Sequence, residues 1–109
     1  MSKLITLEIA LKAASASIMA SETIPKSYSA LKNQILRSSA SIPLNIAEGT
    51  GRFGKDRRHH YRIAYGSLRE TVTALNLLRE LKVNNEEITE ALNLLDRTGA
   101  LLWKLIKST

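Results

Sequence analysis

SSASIPLNIAEGTGRFGKDRRHHYRIAYGSLR, residues 38–69, decides how this chain is read. Its first part continues a helical pattern in which Ile35, Ile42 and Ile46 share one face. Pro43 lies inside that pattern. A proline there removes one backbone donor and crowds the preceding turn, so the helix is expected to kink, or two helices to meet near Ser41. Ser38, Ser39 and Ser41 can bond backbone carbonyls and ease such a bend. Gly49, Gly51 and Gly54 then mark a turn, with Gly49 placed for a left-handed C-cap. A second helical pattern starts at about Lys55, and the positive charge gathers there.

Working outward, four helical patterns account for the chain. In the first, Leu4, Leu7, Leu11, Ala14 and Ile18 recur at helical spacing, and Thr23-Ile24-Pro25 ends it. The second spans about Lys26 to Glu48, with Tyr28 and Leu31 extending its isoleucine face. The third runs from about Lys55 to Leu81, roughly 40 Å at 1.5 Å per residue. Its inner stripe is Tyr61, Ala64, Leu68, Val72, Leu75 and Leu78. Asn84-Asn85 breaks it, and Glu86-Glu87 suits the first turn of a fourth helix. That helix carries Ile88, Leu92, Leu95, Leu102 and Ile106. No alternating stretch competes for a strand. Short connections between long helices predict one all-α domain over residues 1–109, an antiparallel up-down four-helix bundle with a proline-kinked second helix.

Composition narrows the function. The chain has 109 residues, 44% hydrophobic and 24% charged, and a net charge of +6. No cysteine is present. Disulfides and thiolate zinc sites are thereby excluded, which suits a reducing cytoplasm. The N-terminal segment mimics a signal peptide weakly. Glu8 and Lys12 interrupt its apolar run, so it reads as a plain first helix rather than a membrane span. The basic balance favours polyanion partners.

Arg58, Arg62, Tyr65 and Arg69 follow spacings of four, three and four and line one stripe of the third helix. Lys55 extends the stripe, and Arg52 and Arg57 lie close by. Guanidinium groups grip phosphates and a tyrosine ring stacks on a base, so these seven residues are the candidate nucleic-acid contacts. The bland alternative is a solvated face of weak ion pairs. Gln34, Ser38, Ser41, Asn45 and Glu48 form a polar stripe on the second helix, a candidate subunit seam or internal network. There Glu48 would pair with an arginine of the third helix and Asn45 with a neighbouring backbone group.

His59 and His60 are adjacent and therefore poorly spaced as metal ligands; they read as solvent-facing imidazoles. No cofactor or metal is expected. GTGRFG lacks the lysine–serine/threonine ending of a phosphate loop, since Asp56 follows Lys55, and no strand precedes it. Glu48 and Glu70 have no identifiable catalytic partner. Gly66, beside Ala64 and Ser67, marks a place where another helix can approach. Trp103, with Leu101 and Leu105, is either a subunit contact or part of a wide core-facing side.

Ser41-Ile-Pro-Leu-Asn-Ile-Ala-Glu-Gly49 and the segment Gly51 to Glu70 resemble the bacterial 23S rRNA intervening-sequence proteins, also called S23 ribosomal proteins. The resemblance covers nearly the whole chain in length and helix order. His59-His60-Tyr61 departs from it, standing where a more apolar segment is expected. It implies a four-helix bundle assembled as a homopentameric ring; Ser41, Pro43, Asn45, Glu48, Gly49, Gly66 and Glu70 lie in the matching segments and, with Trp103 from the fourth helix, are the candidate motif or subunit-contact residues. With no catalytic constellation among its residues, the chain is expected to be non-enzymatic. A similar bundle in accessory proteins of diversity-generating retroelements, which bind nucleic acid, is a fold-level analogy. The expected partners are further copies of the chain and RNA or DNA, or a protein docked on the ring; a membrane is not among them.

Overall fold

The computed structural model describes residues 2–109. Four helices follow one another: α1 (Ser2–Ser21), α2 (Ser29–Thr50), α3 (Gly54–Glu80) and α4 (Glu86–Ser108), with one 3-10 turn at Lys26–Tyr28 before α2. No strand occurs among the described residues. The four form a four-helix bundle 43 Å long, close to the length of its longest helix.

Each boundary has a local cause. Pro25 stands just before the 3-10 turn and fixes an extended backbone there. Asn85 caps α4, its side-chain oxygen accepting from the Ile88 N–H at 2.9 Å. Glu86 and Glu87 then lie in the positive first turn. Lys82 takes a left-handed φ of 68° in the α3–α4 turn. Pro43 lies inside α2, which runs unbroken from Ser29 to Thr50. One helix carries the proline, rather than two helices meeting near Ser41.

Gly49 departs from its expected role. It lies within α2, and the left-handed glycine of the turn is Gly54, at φ 56°. Gly49 is needed for space. A Cβ there would stand 2.8 Å from Cδ1 and Cε1 of Tyr61 and 3.1 Å from the Arg57 carbonyl oxygen.

The core contains Ile35, Ile42 and Ile46 from α2, and Tyr61, Ala64, Leu68, Leu75 and Leu78 from α3. Ile88, Leu95 and Leu102 join them from α4. These are most of the expected stripes of the three helices; Tyr28, Leu31, Val72, Leu92 and Ile106 are partly buried against them. On α1 the expectation fails. The helix buries Thr6, Ile9, Ala10, Ala13, Ala14, Ser17 and Ala20, while Leu4 is 68% exposed and Leu11 54%. Small side chains bring the α1 backbone close to α2 and α4, so its alanine face turns inward. Buried hydroxyls on that face bond within the helix, as Ser17 does to the Ala13 carbonyl at 2.8 Å.

A second correction concerns the same helix. Despite Glu8 and Lys12, α1 is long and apolar enough, by length and composition alone, to cross a membrane. In this structure it packs in the bundle, mainly on α4 and α2.

Candidate nucleic-acid interface

The turn between α2 and α3 sorts the arginines. Arg57 donates from Nε to the Gly49 carbonyl and from Nη2 to the Thr50 carbonyl, both at 3.1 Å. It thereby satisfies carbonyls that the end of α2 leaves without helical donors. Its guanidinium also lies 5.7 Å from the centre of the Phe53 ring. Arg52 bonds Asp56 at 2.7 Å and faces Glu48 at 3.7 Å. The hydrogen bond from Arg52 holds the Asp56 carboxyl below the usual aspartate range, assisted by the charge of Arg52 and those of His60 and His59. The bond to Asp56 and the two acidic charges push the Arg52 guanidinium up in turn. The partner of Glu48 is thus an arginine of the turn, in place of the one expected from α3.

Farther along α3 the charges open to solvent. Lys55, Arg62 and Arg69 are exposed and enter none of the ion pairs found among the described residues. Arg58 is half-buried and donates to the main-chain oxygen of Thr109. Tyr65, on the same stripe, packs on Trp103 of α4 with ring centres 5.6 Å apart and planes inclined at 49°. The turn therefore separates Arg52 and Arg57 from the stripe that continues along α3.

The polar stripe of α2 faces α3. Gln34 bonds Glu70 at 2.5 Å, Ser38 bonds Thr71 at 2.7 Å, Ser67 donates to Ser41 at 2.9 Å, and His60 Nδ1 meets Asn45 Oδ1 at 3.0 Å. Asn45 also donates to the carbonyl and hydroxyl oxygens of Ser41, each at 3.0 Å. No buried side-chain nitrogen or oxygen lacks a partner among the described residues. The internal-network reading of this stripe matches these contacts. Asn45 Oδ1 is an acceptor, because its amide nitrogen donates twice, so His60 carries its proton on Nδ1. His60 is half-buried in this network, and only His59 is exposed as expected.

Gly66 has nothing within 4 Å of an added Cβ. Within one chain, close packing does not require glycine there, contrary to expectation. It lines a shallow groove with Leu31, Ala74 and Leu77.

A hollow with a volume near 770 Å³ lies between α3 and α4. Tyr65, Leu68, Arg69, Asp96, Gly99 and Trp103 are among its walls. Asp96 and Gly99 are not among the candidates drawn from the sequence. The signal was present: both lie at helical spacing before Trp103 on α4. Arg79, likewise not among them, joins the ends of α3 and α4 through Asn84 at 3.1 Å and Thr89 at 3.0 Å.

Known proteins bear on this geometry. The sequence profile of the 23S rRNA-intervening sequence protein family matches residues 2–104. A crystal structure from Bacteroides thetaiotaomicron, described as a protein of unknown function from the S23 ribosomal protein family, superposes with a TM-score of 0.86. It is 24% identical, and the superposition covers 98% of this chain and 99% of that one. At that identity it supports the shared fold alone. No protein of curated function matches.

Proposed function

This chain belongs to the 23S rRNA-intervening sequence protein family, and we propose that it is a non-catalytic, oligomeric protein that binds the phosphate backbone of nucleic acid. One observation carries the reading. Lys55, Arg62 and Arg69 stand exposed on one stripe of α3, while Arg52 is opposed by Glu48 and Asp56. With 16 basic against 10 acidic residues, the chain has an excess of positive charge, and this stripe presents it outside the ion pairs found among the described residues. Arg58 flanks the stripe.

Glu48 and Glu70 are engaged by Arg52 and Gln34, which supports a structural role over general acid–base work. Further copies of the chain, as a pentameric ring, would repeat the stripe and raise affinity by avidity. The outward leucines of α1 provide apolar surface for such assembly. The alternative reading, a ring that docks a protein without touching nucleic acid, draws on that same surface. A cytoplasmic location fits partners of this kind.

The test is binding of labelled RNA and DNA across a salt series by the wild type and by Arg62→Ala/Arg69→Ala. Expected for the wild type is a linear fall of log affinity with log salt. In the variant the slope on a single strand should be shallower by roughly 0.7 for each phosphate that is no longer neutralised. Absent binding, or weak binding that ignores both salt and the substitutions, would leave the protein-docking reading.

A further inference from the structure

The α3–α4 groove has a chemistry that phosphate binding alone does not use. We infer that it seats an unpaired base of a single-stranded nucleic acid whose backbone lies along the α3 stripe. This inference rests on the nucleic-acid reading above and adds the class of strand.

The groove joins two kinds of surface. On α3, Arg62 and Arg69 flank Tyr65 at three residues before and four after, along the one stripe. They are about 10 Å apart along the axis. Across from them Trp103 is 51% exposed. One part of its ring rests on Tyr65, and the rest is open to the groove. An indole held by a second ring is a preset platform with little freedom to lose, and every base has a face to stack on it.

Asp96 distinguishes base from phosphate. It is the acidic residue of the groove, beside Arg69 and Arg79 among the cations. Its carboxylate repels a phosphate but accepts from the N–H groups of a base edge. Phosphates therefore belong over the α3 arginines, and the base belongs over α4. The floor is closed, since a Cβ on Gly99 would lie 3.5 Å from Leu68 Cδ2. A base laid against the Trp103 ring in this groove gives up stacking on a neighbour. A single strand offers that readily, whereas a duplex must first break pairing.

The chain has a single tryptophan, so indole fluorescence reports this groove alone. The experiment titrates the protein with a single-stranded RNA, a DNA strand of the same sequence, the corresponding duplexes, and heparin as a polyanion without bases. Expected is strong quenching by the single strands and little by duplex or heparin. Trp103→Leu should weaken single-strand binding at least about fivefold, within the range of one base stack removed, and leave heparin binding unchanged. Retained helical circular dichroism would show that the variant folds, and the wild-type titration stands without it. Single strands that bind without quenching, and bind Trp103→Leu equally well, would overturn the inference and leave the basic stripe intact. Emission that shifts with protein concentration but not with oligonucleotide would overturn it by assigning Trp103 to a contact between copies. Absence of all polyanion binding would remove both this inference and the reading beneath it.

Discussion

Gly49 and Tyr61 meet where α2 ends against α3: a single added carbon at Gly49 would fall 2.8 Å from two carbons of the Tyr61 ring. The ring is fully buried, and its hydroxyl lies 3.2 Å from the Thr50 hydroxyl. It has no room to swing aside. Gly49→Ala gains about 1 kcal/mol of helix propensity but overpacks the joint, which typically costs about 1–3 kcal/mol. A net loss of stability is expected, read as a lower urea midpoint. A midpoint equal to or above wild type would show that the joint yields.

Gly66 predicts the opposite sign. It lies within α3, where an added Cβ touches nothing. Gly66→Ala should stabilise a single chain by about 0.5–1 kcal/mol. Thermal melts check this, run dilute and concentrated. Destabilisation confined to high concentration would put a second copy of the chain against this glycine.

The Arg52–Asp56 pair predicts a pH dependence. Asp56 titrates below the ordinary aspartate value of 3.8 because Arg52 bonds its charged form. A carboxyl depressed by folding adds stability above its unfolded pKa. That stability is lost as pH falls through the lower folded value. Arg52→Ala should return the Asp56 titration toward 3.8, followed by carboxyl NMR. An unmoved titration would assign the depression to some other group.

Leu11 tests assembly. Its side chain is exposed on α1 and lines a groove with Met19 and Leu94. If copies of the chain meet there, Leu11→Asp places a charge in an apolar contact and weakens association by at least about tenfold, since an unpaired buried charge is costly. Light scattering should show the mass falling toward one chain while circular dichroism stays helical. An unchanged mass would move the contact to another face.

Much of this protein is set by local rules that the sequence carries by itself. The stripe from Tyr61 to Leu78 places the inner face of α3, because that helix has one apolar side. Asn85 marks the start of α4, because capping needs only neighbouring backbone. The basic stripe was legible for the same reason: residues four and three apart share a face whatever surrounds them. Tertiary structure decided the rest. α1 is apolar on two sides, so periodicity cannot choose between its leucines and its alanines; the fit against α2 and α4 turns the smaller residues inward. Arg57 and Arg52 looked equivalent to Arg62. Only the return of the chain through the turn brings the Gly49 and Thr50 carbonyls to Arg57; Arg52 is held by Glu48 and Asp56, each four residues away, and Arg62 and Arg69 are left facing solvent. The groove between Tyr65 and Trp103 exists only once α3 and α4 pack, since its two walls come from chain segments that no local rule connects.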